Sequence, residues 1–229
     1  MSPLRELLTT TPSKLDECVP SIRPGVCAEN PTFSNNPIHD EQIRGLIQQL
    51  FFNREPGVVR SVGFTAVDES TRTESLCLET ATALAAQGYD IALIDANPEG
   101  IPLQQWLAVA DPIHAKAPFL ISRRLWIVPR QCWWPDAEFT SLTEQSLEHL
   151  REYLAEFDFS ILRCASASWL TSKIGQNCDG LVLVLTANKT RRLVAAQITE
   201  GLIKAKVPLL GTVLVERSFP IPQGLYRSL

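Results

Sequence analysis

From residue 39 onward the chain alternates between short runs that are apolar throughout and longer runs with one apolar face, and this alternation restricts the folds open to it more than any other feature. Val58 to Phe64, Tyr89 to Asp95, Leu125 to Val128, Phe159 to Cys164, Gly180 to Thr186 and Leu209 to Val215 read as strands buried on both faces. Between them lie amphipathic stretches. His39 to Phe52 places Ile43, Leu46, Ile47 and Leu50 on one side, and Cys77, Ala81, Leu84 and Ala85 mark a helix that Gly88 ends. Leu142 to Phe157 repeats apolar residues at three- and four-residue steps, Ser168 to Ile174 is a short helix, and Thr190 to Ala205 a longer one. Buried strands alternating with such helices predict an α/β domain whose parallel sheet is covered by helices on both faces. In folds of that kind ligands sit at the carboxyl ends of the strands.

Composition sets the outer bounds. At 229 residues, 45% hydrophobic and 20% charged, the chain suits one soluble domain with a full core. A net charge of −4 recruits neither nucleic acid nor an anionic membrane surface. The six cysteines form no CxxC pair and no cluster with metal-ligand spacing, so no metal site is expected. No secretory signal is read and no apolar run reaches the roughly 18 to 20 residues that cross a bilayer, which predicts a cytoplasmic protein without direct membrane insertion. Residues 1–38 hold six of the sixteen prolines among many Ser, Thr and Asn, and are expected to form a disordered tail or linker ahead of a domain spanning 39–229.

The loop after the first strand carries the chemical question. It reads DESTRTES, with neither glycine nor lysine, at the place where a strand enters a helix. Thr71-Arg72-Thr73-Glu74 has the form of a capping box. The Thr71 hydroxyl would accept from the N–H of residue 74, and the Glu74 carboxylate would reach back to the N–H of residue 71. Glu74 would then stand at the positive end of the helix dipole. Asp95, at the end of a strand, and Arg163, a lone cation in an apolar one, are the other charged residues expected at the carboxyl edge. Arg72 or Arg163 is expected to pair with Asp95 or Glu74 there.

These residues carry a resemblance. Gly63 to Gly88 aligns without a gap to the pattern GxTSxxPGEGKTTxxxNLAxxLAxxG, and so resembles the phosphate-loop strand and helix of the MinD/ParA-type ATPases. The chain looks most like the bacterial tyrosine kinases of capsule and exopolysaccharide synthesis, the CpsD/CapB-like family. ALIDANPEG is similar to LLxDADxRxP, keeping Asp95 with Asn97 at the second aspartate; FDFSILRCASA is similar to YDxxIIDxPP, with Arg163 at the aspartate that helps organise Mg²⁺. Ser70 and Arg72 fall on the two loop glycines, Thr73 on the phosphate-binding lysine, Glu74 and Ser75 on the hydroxyl pair, and Val215 where the family has an asparagine near the adenine. The resemblance implies a P-loop NTPase-like fold and a degenerate nucleotide site.

A phosphate loop works because glycines turn N–H groups toward the anion, lysine neutralises charge, and a hydroxyl and a carboxylate organise Mg²⁺. Loss of one charge-assisted contact costs about 1.5 to 3 kcal/mol, one or two decades of affinity. No catalytic residue and no cofactor are therefore expected, and any binding of ATP with Mg²⁺ should be weak. Glu41 and Arg44 match the start of the E-x-x-R-x-x-R motif with which the family packs subunits, but Ile47 holds the third position; they are the candidate interface residues. The expected role is a regulatory or scaffolding subunit of polysaccharide synthesis or export, a pseudoenzyme whose partner is a membrane-bound chain-length protein, an active tyrosine kinase or a second copy. The alternatives are a nucleotide-binding ATPase or kinase with a non-standard loop, and a MinD/ParA-like positioning protein. His39, His114 and His149 show no ligand spacing, and Cys132-Trp133-Trp134-Pro135 is either a contact surface or a cover over the core edge.

Overall fold

Val, Ile and Leu runs that fit only the middle of a sheet build its centre, and the helices that follow them close its faces. The computed structural model describes residues 37–53, 57–68, 71–108, 117–135 and 141–216. Within them lie α1 (Pro37–Ile47), continued by a π-helical turn over Gln48–Phe52, β1 (Ser61–Ala66), α2 (Glu74–Ala86), β2 (Ile91–Ala96), α3 (Leu103–Trp106), β3 (Phe119–Ser122) and β4 (Leu125–Val128). They are followed by α4 (Arg130–Trp133), α5 (Glu144–Glu156), β5 (Phe159–Cys164), α6 (Trp169–Gly175), β6 (Gly180–Thr186), α7 (Arg192–Lys204) and β7 (Leu209–Val215).

The strands form one seven-stranded sheet in the order β3-β4-β2-β5-β1-β6-β7. All neighbours are parallel except β3, which runs antiparallel to β4 at the edge. The expected parallel sheet is present, with this one departure. β3 escapes sequence reading because its four residues alternate half-buried and exposed, as an edge strand does, instead of forming a continuous apolar run.

Two apolar layers hold the helices to the sheet. On one face α1 and α2 bring Ile43, Ile47, Cys77, Ala81 and Leu84 against Val62, Phe64, Leu93 and Ile161. On the other, Trp133, Trp134, Leu150, Leu170, Ile174 and Leu202 pack on Ala92, Ile94, Leu162 and Leu181. α2 ends as its sequence predicts: Gly88 takes a φ of 96°, a region that glycine enters without steric penalty.

The close approach of β1 to β6 depends on Gly63. A Cβ there would overlap Leu181 Cδ2 and stand 3.1 Å from Cys164 Sγ, both on side chains packed in the core. Gly63→Ala should therefore lower stability by about 1 to 3 kcal/mol through overpacking. Urea unfolding followed by far-UV circular dichroism checks this: a lower midpoint at unchanged slope is expected, and an unchanged midpoint would place the two strands farther apart than described.

Candidate functional site

The carboxyl ends of β2, β5 and β1 lie side by side, and their register brings two opposite charges together. Asp95 on β2 is the direct partner of Arg163 on β5, and Arg163 is in turn the partner of Phe64 on β1. Both charged side chains are fully buried. Removing a guanidinium and a carboxylate from water is unfavourable by several kcal/mol each unless they pair closely and hydrogen-bond, and here each guanidinium nitrogen meets a carboxylate oxygen. Arg163 donates to Asp95 Oδ1 through Nη2 at 2.8 Å and Nε at 3.2 Å. Its Nη1 donates to Glu74 Oε1 at 3.0 Å. The remaining Asp95 oxygen accepts the Leu103 N–H at 3.1 Å, and Oδ1 also accepts the Asn97 N–H at 3.3 Å.

A second arginine completes the cluster. Arg130, the first residue of α4, is 96% withdrawn from solvent by its 4% exposure and stands 3.4 Å from Asp95 Oδ2. It donates to the Pro98 carbonyl at 2.6 Å and the Gly100 carbonyl at 3.0 Å. Burial lowers the Arg130 pKa from its ordinary value, and the Asp95 charge opposes that shift. Two arginines and two carboxylates thus neutralise one another at the strand ends. Sequence reading missed Arg130. The signal was a cation directly after the apolar run LWIVP, where the chain leaves a strand next to β2.

The other expected site residues are dispersed. Thr71 and Thr73 are buried, but no capping box forms. The N-cap of α2 is Thr73, which makes no side-chain cap hydrogen bond. The Thr71 hydroxyl lies 2.7 Å from that of Thr186 and also donates to Asp68 at 3.2 Å. Glu74 turns to Arg163 because a buried cation attracts it more strongly than a neutral N–H does. Arg72 and Ser75 are exposed, and Arg72 makes no ion pair among the described residues, so of the two arginines expected to pair with Asp95 or Glu74 it is Arg163 that does so. Ser70, His114 and residues 1–36 lie outside the described residues. Asn97, at the family's second aspartate, builds a turn: its Oδ1 accepts the N–H groups of Glu99 and Gly100. Val215 ends β7 and accepts the Ala187 N–H through its carbonyl at 2.9 Å.

Glu41 and Arg44 occupy the exposed side of α1, and Arg44 borders a groove of about 520 Å³ between α1 and α2. At its mouth His39 Nε2 approaches Glu79 Oε2 to 2.6 Å. Trp133 and Trp134 belong to the core. Their indole N–H groups donate to the carbonyls of Asp95 and Ser141, which permits full burial and rules out a contact surface. Cys77, one turn along α2 from Glu74, carries a thiol that burial pushes well above the usual range, against the opposing pull of Arg163. Burial and the raised pKa both disfavour the thiolate that a nucleophile needs. Among the described residues no three His, Cys, Asp or Glu side chains group as a metal site.

Mg²⁺ and a nucleotide triphosphate do not fit these residues. Asp95 is already hydrogen-bonded by the Arg163 guanidinium, which lies at the position the resemblance gives to an aspartate that helps organise Mg²⁺. No lysine or glycine serves the loop.

No protein-family model and no curated protein matches the sequence. Solved structures do match in fold. The kinase domain of Escherichia coli tyrosine kinase ETK is 15% identical at a TM-score of 0.62, over 92% of this chain and 90% of that one. The VpsO kinase domain is 14% identical at a TM-score of 0.62, over 79% and 97%. The septum site-determining protein MinD of Pyrococcus horikoshii, complexed with Mg-ADP, is 16% identical at a TM-score of 0.53, over 74% and 76%. At these identities the likeness is one of fold: the chain has the P-loop NTPase-like fold shared by bacterial tyrosine kinase domains and MinD/ParA-type ATPases.

Removing one member of a buried, hydrogen-bonded charge cluster leaves its partners uncompensated. Arg163→Ala should destabilise the protein by about 3 to 5 kcal/mol. Glu74→Gln should do so by less than half as much, because the Glu74 side chain is 19% exposed and water can substitute for it. Chemical denaturation of the two variants checks the ordering, and equal effects would contradict a cluster centred on Asp95 and Arg163.

Proposed function

We propose that this protein is a non-catalytic counterpart of the polysaccharide tyrosine kinases, a regulatory or scaffolding subunit of polysaccharide synthesis or export that works through protein contacts instead of phosphoryl transfer. The observation that carries this reading is the Arg163 guanidinium, buried between Asp95 and Glu74 where an active relative would gather Mg²⁺ and phosphate. In an active site the bound anion and cation complete the charges of the loop. Here the protein supplies both signs itself, so the folded state does not need a ligand to neutralise its strand ends.

The fold likeness to the ETK and VpsO kinase domains, at higher TM-scores than MinD, supports the tyrosine-kinase-like side of the reading over the MinD/ParA side. On this reading the partner is a membrane-bound chain-length protein, an active tyrosine kinase or a second copy, and the exposed Glu41 and Arg44 belong to one of its contact surfaces. The protein works in the cytoplasm and reaches the membrane through that partner. Among the described residues no helix is long and apolar enough to cross a bilayer.

Thermal unfolding with and without millimolar ATP or ADP and Mg²⁺ tests the proposal. Ligand at about 100 times its dissociation constant would add about 2.7 kcal/mol, roughly 5 to 10 °C for a chain of this size. No shift is expected. A comparison variant carrying Thr73→Lys, Ser70→Gly, Arg72→Gly and Arg163→Asp restores the family's residues, and if circular dichroism shows it folded, its midpoint should rise with nucleotide. A clear rise in the native protein would overturn the proposal and make DESTRTES a working nucleotide loop.

A further inference from the structure

Among the described residues α7 is the least seated of the longer helices. Of its thirteen residues only Leu202, near its end, is buried. The reason is geometric. α6 and α7 follow the parallel strands β5 and β6 on one face of the sheet, and their carboxyl ends are tied where Gln176 Nε2 donates to the Ala205 carbonyl at 2.6 Å. α7 is six residues longer, thirteen against seven, so its first turns extend about 9 Å past the start of α6. Arg192 to Gln197 therefore stand clear of the neighbour that would cover them.

The exposed part is apolar and cationic together. Leu193 is 79% exposed, and Trp169, the first residue of α6 and level with the middle of α7, is 62% exposed. On the opposite flank Leu214, 52% exposed, helps to line a cavity of about 380 Å³ with Asn188, Thr190, Arg192 and Ala195. Exposed large apolar side chains on both flanks of the same helix end, one of them lining a cavity, mark a contact surface more often than a solvated one.

The charges indicate what covers it. From Thr186 to Thr199 there is no carboxylate, while Lys189, Arg191 and Arg192 all carry charge. Lys189 is answered by Glu216 at 2.9 Å. Arg191 and Arg192 are exposed and make no ion pair among the described residues, and they stand at the positive end of the helix dipole, where cations are disfavoured in the free protein. Arg72 adds a third exposed cation on the same edge, one residue from Thr71, whose hydroxyl touches that of Thr186. An anionic partner relieves all three.

We infer that the first two turns of α7, with Trp169 on one side and the Leu214 cavity on the other, dock an acidic segment of a partner protein that also carries at least one large apolar side chain. The inference deepens the proposed role as a contact subunit and rests on it for biological meaning, but it concerns a region separate from the Arg163 cluster.

A displayed library of random twelve-residue peptides selected on the full chain tests it. Enriched peptides should combine Asp or Glu with Leu, Ile, Phe or Trp, and synthetic copies should shift the Trp169 emission to the blue, a change absent in Trp169→Phe. Arg191→Glu with Arg192→Glu should weaken binding at least tenfold, and so should Leu193→Ser, whose exposed position leaves the fold intact. No enrichment, non-acidic peptides, or binding indifferent to these substitutions would overturn the inference. Such a failure leaves the nucleotide result untouched, and a nucleotide-induced thermal shift would overturn the preceding proposal without bearing on peptide binding.

Discussion

A guanidinium lies fully buried in the central strand of this sheet, and most of what surrounds it can be understood as the means of keeping it there. Arg163 has no access to water, so every charge and donor it carries needs a protein partner. Asp95 supplies the main one from the adjacent strand, in direct register. Asp95 then needs its own second oxygen satisfied: the chain after β2 turns so that the Leu103 N–H reaches it, and Arg130 approaches it from the start of α4. The turn depends on Asn97, and α4 is placed by Trp133 donating to the Asp95 carbonyl. One buried cation thus organises the loop after β2, the entry to α3 and the start of α4. Such a cluster is a poor source of net stability, because desolvation offsets most of its attraction, but it strongly specifies which groups meet.

On the proposed reading, that specificity is what separates this edge from a working nucleotide site. A phosphate loop leaves its backbone donors and its lysine incomplete until the ligand arrives, so ligand binding and stability are linked. An internal carboxylate and guanidinium remove the linkage. The charges are present at all times, at fixed geometry, and a triphosphate would have to displace Glu74 from Arg163 while bringing a cation against two arginines. Glu74 remains at the helix N-terminus, where negative charge is favoured, so the helix keeps the electrostatic benefit without the ligand.

How far the sequence revealed this differs by element. The strands buried on both faces were legible because a parallel sheet leaves no room for polar alternation, and β1, β2, β4, β5, β6 and β7 all follow from that rule. The single-turn helices α3 and α4 and the edge strand β3 are four residues each, too short for a period to show. Arg163 and Asp95 stood out as charges inside apolar runs. Arg130 did not, since its burial depends on carbonyls of Pro98 and Gly100, contributed by a loop some thirty residues earlier. The capping box failed for a related reason. Its spacing was correct, but local spacing describes only what Thr71 and Glu74 offer each other, and both had stronger distant partners in Thr186 and Arg163.

The same logic bears on where contacts with other proteins can form. In a parallel α/β sheet every loop after a strand emerges on one edge, so that edge gathers the irregular, solvent-facing backbone whatever chemistry it performs. Closing the centre of the edge with the Arg163 cluster does not close its periphery. The helix after β6 still outruns its neighbour, and its first turns have no internal surface to meet. A catalytic site at the centre would constrain those turns through a ligand. If internal charges stand in for the ligand, as proposed, the periphery is free to carry apolar and cationic side chains that the domain's own packing does not require, and Trp169, Leu193, Arg191 and Arg192 are side chains of that kind.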